Sequence, residues 1–141
     1  MTTVNSTTYA AQEAGKIALD AGINHTKLLV ASTSYECAAT AANTEINLFK
    51  LPKGAKIHNF IVAHDDMGTG ITLDIGDAAD GDRYVDGLAI ATAAGSTAGI
   101  LPDGCGYAIG TATEADDTVV IAKIIGGAAT GTLKVVCEYA I

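Results

Sequence analysis

The stretch that most constrains the fold is Leu48-Phe-Lys-Leu-Pro-Lys-Gly-Ala-Lys-Ile57 with its continuation through Ile61 and Val62 to Arg83. Pro52 cannot donate to a strand ladder and Gly54 tolerates unusual backbone angles, so Leu-Pro-Lys-Gly reverses the chain between two strands. The second of these, Ala55 to His64, has apolar residues on both faces, with Ile57, Ile61 and Ala63 on one and Phe60 and Val62 on the other. Such a strand sits inside a sandwich or against a neighbouring subunit. After the turn Asp65-Asp-Met-Gly-Thr-Gly70, residues Thr69 to Gly76 alternate, with Ile71, Leu73 and Ile75 inward and Thr72 and Asp74 outward.

The rest of the chain repeats this pattern. Lys27 to Glu36, Glu45 to Leu51, Arg83 to Ala89, Gly106 to Thr111, Thr118 to Ile125 and Thr132 to Tyr139 read as strands. Loops are expected at Ala38 to Asn43, Asp77 to Asp82, Ala91 to Gly99, Glu114 to Asp117 and Gly126 to Gly131. The spacing gives an all-β antiparallel sandwich of about eight strands, and no β-α-β alternation supports a parallel sheet. Residues 1–26 precede this domain of residues 27–141. Ala11, Ala14, Ile17, Ala18 and Ala21 have helical spacing broken by Gly15, so the segment is either an extended arm or a short helix.

Composition narrows the function classes. Aromatic residues make up 5% with no Trp, so the core is aliphatic and glycan-stacking platforms are scarce. The net charge of −8 argues against phosphate neutralisation and hence against nucleic acid as a partner. Cys37, Cys105 and Cys137 are far apart and odd in number, and read as free thiols rather than a disulfide or zinc framework. The opening Met-Thr-Thr-Val-Asn-Ser lacks the basic and apolar regions of a secretory signal, and no apolar run reaches the ~20 residues of a membrane span.

Few residues carry chemistry. Asp74, Asp77, Asp80 and Asp82, with Asp65 and Asp66 nearby, form the one candidate metal loop, for calcium. Their spacing departs from the EF-hand pattern and no closing Glu follows, so a solvated Asp-Gly turn is the competing reading. His58 and His64 fall six apart on one strand face, roughly 20 Å from each other, too far to chelate one ion together, and His25 is remote in sequence. Asp82 and Arg83 are placed for an exposed ion pair. No nucleophile elbow, phosphate-binding loop or catalytic cysteine signature is present, so no catalytic, cofactor or metal site is assigned and an enzyme is not expected.

Three segments point to a family. Phe49-Lys-Leu-Pro-Lys-Gly-Ala-Lys-Ile57, Thr72-Leu-Asp-Ile-Gly-Asp-Ala-Ala-Asp80 with Arg83-Tyr84, and Gly131-Thr-Leu-Lys-Val-Val136 resemble small structural proteins of tailed bacteriophages, the head decoration (cement) and related virion proteins. The resemblance spans about residues 45–140; the segment 1–26 and the loop 91–105 fall outside it. It implies a β-sandwich or jelly-roll-like domain that assembles on a particle, with no catalytic residue to transfer. The expected partners are the major capsid protein or other virion proteins and further copies of the chain. The expected location is the virion, assembled in the host bacterial cytoplasm. The rival reading is a tail- or fibre-associated module that binds host glycan.

Overall fold

A computed structural model describes residues 27–91, 94–100 and 118–141. Eight strands follow in order: β1 (Leu29–Thr40), β2 (Glu45–Leu51), β3 (Lys56–His64), β4 (Thr72–Gly76), β5 (Val85–Ala89), β6 (Gly95–Ile100), β7 (Thr118–Ile125) and β8 (Ala129–Ala140). The expected strand 106–111, the arm or helix of residues 1–26, His25 and Cys105 lie outside the described residues.

The strands form two four-stranded antiparallel sheets, ordered β1-β8-β3-β6 and β2-β7-β4-β5. Their pairing is nested: β1 with β8, β2 with β7, β3 with β6 and β4 with β5. One long hairpin, folded at the β4–β5 connection and then rolled so that β3 joins β8 and β4 joins β7, gives this order. That is the jelly-roll winding of an all-β sandwich.

Alternation positions the core. In β7 the burial alternates along the strand, and Val120, Ala122 and Ile124 are wholly enclosed. They meet Ile71, Leu73 and Ile75, and across the sandwich Ile57, Phe60, Val62, Leu133, Val135 and Cys137. These are aliphatic side chains with one aromatic contact, Phe60 on Tyr84 at 6.0 Å between ring centroids. The expected inward set of β4 is as observed, and so is the alternation of β8. Val119, Ile121 and Ile125 on the far side of β7 are only half-buried, so this strand is apolar on both faces but enclosed on one.

Several expectations are corrected. β1 continues through Thr40 where a loop was expected from Ala38. The ladder slips one residue between Cys37 and Thr40, with Ala39 at φ 54 and its amide donating to Thr130 Oγ1 at 3.2 Å. Gly95–Ile100, all but its last residue within the expected loop 91–99, pairs with β3 as an edge strand. The β7–β8 connection is only residues 126–128, because β8 begins at Ala129. β3 also slips, between Ile57 and Asn59, with His58 as the extra residue. Ile57 therefore shares the core side with Phe60 and Val62 instead of with Ile61 and Ala63. A bulge of this kind breaks the period of two on which the facing was based.

Candidate functional site

The acidic loop joins β4 to β5. Gly76 admits no side chain there: a Cβ would lie 2.1 Å from the Asp80 carbonyl oxygen. That close approach lets the Asp77 amide donate to Asp80 O at 2.9 Å and tightens the turn. It also points the Asp77 carboxylate inward, with its side chain 2% exposed. Oδ1 accepts from the amides of Ala79 (2.9 Å) and Asp80 (3.0 Å). Oδ2 accepts from Arg83 Nη1 (2.7 Å) and the Tyr84 hydroxyl (3.0 Å). A buried carboxylate is tolerated when it is paired and hydrogen-bonded in this way. Burial, and then the Asp77 charge and hydrogen bond, drive the Tyr84 phenol well above its ordinary pKa.

The four aspartates of the candidate calcium loop, for which a solvated turn is the competing reading, are not gathered around one point. Asp77 faces the core, Asp74 Oδ1 accepts from the Gly87 amide at 2.8 Å, Asp80 reaches Arg83 Nε at 3.8 Å, and Asp82 is exposed. Among the described residues no group of three or more His, Cys, Asp or Glu is placed to hold a metal ion. Arg83 pairs with Asp77 and Asp80 rather than with Asp82. The turn is a structural clasp. Its sequence signal is Gly76-Asp77 followed six and seven residues later by the donors Arg83 and Tyr84.

A second polar cluster lies where β1, β3 and β8 adjoin. The Thr132 amide donates to Asp65 Oδ2 (2.8 Å), the Thr132 hydroxyl donates to Glu36 Oε2 (2.5 Å), and the Asp65 amide donates to Thr132 O (3.1 Å). His64 Nδ1 lies 2.7 Å from the Asp65 carbonyl, so this nitrogen carries the proton. His64 stays in step with Phe60 and Val62, and the β3 bulge turns exposed His58 to the other side, so the two do not share a face. His64, Asp65, Gly95, Thr132 and Lys134 border an open depression of about 440 Å³. Lys134 also borders a smaller one of about 360 Å³ beside Ser32, Ser34 and Val136.

Cys37 and Cys137 are buried and free. Burial raises both thiols, Cys137 to about 12. A thiol held protonated is a poor nucleophile.

The outer faces are of mixed character. Across the first sheet, Ser32, Val136 and Ile61 form one row, and Val30, Glu138 and Asn59 another. Asn59 Nδ2 donates to Glu138 Oε2 at 2.9 Å, and Asn59 Oδ1 is buried with no hydrogen-bond partner. On the second sheet Lys123 reaches Glu45 at 3.9 Å beside half-buried Ile121.

Among the described residues the chain winds as an eight-stranded jelly roll. Solved structures superpose on this fold. A chain of the "Cyanophage Pam1 capsid asymmetric unit" superposes with TM-score 0.62 at 22% identity, over 82% of this chain and 86% of that one. A chain of the "Capsid of Ralstonia phage GP4" gives 0.61 at 22%, over 81% and 84%. One from the "Acidic stable capsid structure of Helicobacter pylori bacteriophage KHP30" gives 0.58 at 13%, over 81% and 87%. At these identities the likeness is one of fold. No family model and no curated protein matches the sequence.

Proposed function

We propose that this chain is a structural protein of a phage virion, and within that class a decoration protein that binds the outside of the head shell and reinforces it. The observation that carries the reading is the extent of the fold match. Capsid-derived chains are covered over 84–87% of their length, so the whole domain corresponds rather than a shared fragment. The surfaces support it: half-buried apolar residues on the outer sides of both sheets, among them Ile61, Val136, Ile121 and Ile125, suit broad protein contacts. The protein acts through interface area, with no catalytic step. Its partners are the major capsid protein or other virion proteins, and further copies of itself.

Imaging of intact particles made in cells that produce this chain tests the reading. The expected result is a jelly-roll domain at regular positions on the head exterior. A domain found only on the tail, or absent from the particle, overturns it. Glycan-array binding by the isolated protein, together with a tail position, would favour the receptor-binding alternative. Removing residues 1–26 is expected to lower occupancy on the head; unchanged occupancy excludes the segment from attachment.

A further inference from the structure

Sheet edges are normally guarded by shortness, charge, Pro or bulges, because an unpaired ladder invites another strand. Among the described strands, three of the four edges are guarded. β2 carries Glu45 and Lys50, slips between Asn47 and Phe49, and is followed by Pro52. β5 has five residues, with Asp86 and with Gly87 at φ 66. β6 has six, and its pairing slips between Phe60 and Val62. β1 is different. It has twelve residues, pairs without a slip from Leu29 to Cys37, and contains no Pro, Lys or Arg. Its one charge, Glu36, accepts the Thr132 hydroxyl of its own sheet.

Exposed apolar surface collects at the same edge. Among the described residues the exposed large hydrophobic side chains are Leu28, Val30, Tyr35 and Ile141. The first three lie on β1 or one residue before it, and Ile141 follows the end of β8, the strand to which β1 is bonded.

We propose that β1 is a dimerisation edge. Two copies join β1 to β1, antiparallel about a two-fold axis perpendicular to the sheet, and the two four-stranded β1-β8-β3-β6 sheets become one. Symmetry and charge select a second copy as the occupant. An antiparallel edge is its own complement under a two-fold axis, so no other protein is required. Two molecules of net charge −8 approach best where charge is low, and β1 holds one acidic and no basic residue. A basic extended segment from another protein finds no row of acids here.

The axis also sets the register. It places residues of the same face opposite each other, and centring it on Ser32 sets Leu29 against Tyr35 and Val30 against Ser34, each twice. Apolar–aromatic cross-strand pairs of this kind stabilise sheets. Each Glu36 then faces Leu28, far from its symmetry mate. A single edge of ~40 Å gives an interface at the small end of the specific range, so the dimer is concentration-dependent.

Sedimentation of the full chain from about 1 µM to about 1 mM tests this. Wild type is expected to pass from monomer to dimer. The double variant Val30→Lys/Ser34→Lys opposes like charges twice and is expected to weaken the dimer at least tenfold, with an unchanged thermal midpoint because both side chains are exposed. Val30→Lys/Ser34→Glu opposes unlike charges in the same register and is expected to restore it in a salt-sensitive form. A wild type that stays monomeric, a closed trimer, or a dimer indifferent to the Lys/Lys pair overturns the proposal. Loss without rescue by the Lys/Glu pair overturns the Ser32-centred register. No particle enters the experiment, so its failure leaves the head-binding reading standing.

Discussion

Asp77 shows how one side chain holds a turn. Its carboxylate takes donors from two amides, a guanidinium and a phenol, and each donor comes from within seven residues. Asp77→Ala is expected to destabilise the fold by about 2–4 kcal/mol, and Tyr84→Phe by about 1–2 kcal/mol, read from the urea midpoint at constant m. Two buried groups, Tyr84 of this turn and Cys137 of β8, make stability fall in alkali. Tyr84 and Cys137 hold their protons in the folded state beyond the pH at which the unfolded chain releases them. Their contribution is complete below the unfolded values, 10.0 for Tyr84 and 9.0 for Cys137, and declines as pH rises above them, by up to ~1.4 kcal/mol per pH unit for each group. Cys137→Ala is expected to show a shallower decline between about pH 9 and 11, measured by urea unfolding at each pH. The run of aspartates was legible in the sequence as an acidic Gly-rich turn. Which carboxylate turns inward was not, because spacing alone does not say where Gly76 lets the backbone close on itself.

At the level of elements, most strands were legible because their apolar residues alternate or run together. Glu45–Leu51 and Thr118–Ile125 have the bounds that patterning predicts. β6 was read as part of a loop because Gly95-Ser-Thr-Ala-Gly99 offers no alternation, and only its pairing to β3 makes it a strand. The facing of Ile57 escapes the pattern for another reason. A bulge at His58 inserts one residue without any Gly or Pro to announce it. The β4–β5 turn makes a sharp prediction. Gly76→Ala needs space that the Asp80 and Gly81 backbone already fills, and φ is not the obstacle. A loss of at least ~2 kcal/mol is expected, larger than the ~1 kcal/mol typical of point substitutions. An unchanged melting temperature would mean that the turn can open at little cost.

For the whole molecule, the sandwich was legible in strand count and spacing, and the jelly-roll winding came as an implication of the family resemblance. The order β1-β8-β3-β6 depends on contacts between the two ends of the domain, which no local pattern encodes. Those contacts predict slow folding. β1 cannot pair until β8 exists, and nearly every pairing is long-range. Folding on the scale of milliseconds to seconds is expected for such topologies, against microseconds for local ones. Stopped-flow refolding checks it. Substitutions in β1 are expected to speed unfolding more than they slow folding if that strand docks last.

The pairing of first strand with last has a mechanical corollary. Leu29 sits beside Tyr139 at one end of the ladder, so tension drawn between those two points opens the hydrogen bonds singly, like a zipper. Tension drawn from Leu29 against Ala129, at opposite ends, loads the ladder in shear and engages the bonds together. Under the proposed head-binding role, anchors placed in the second way would best resist a shell that swells from within.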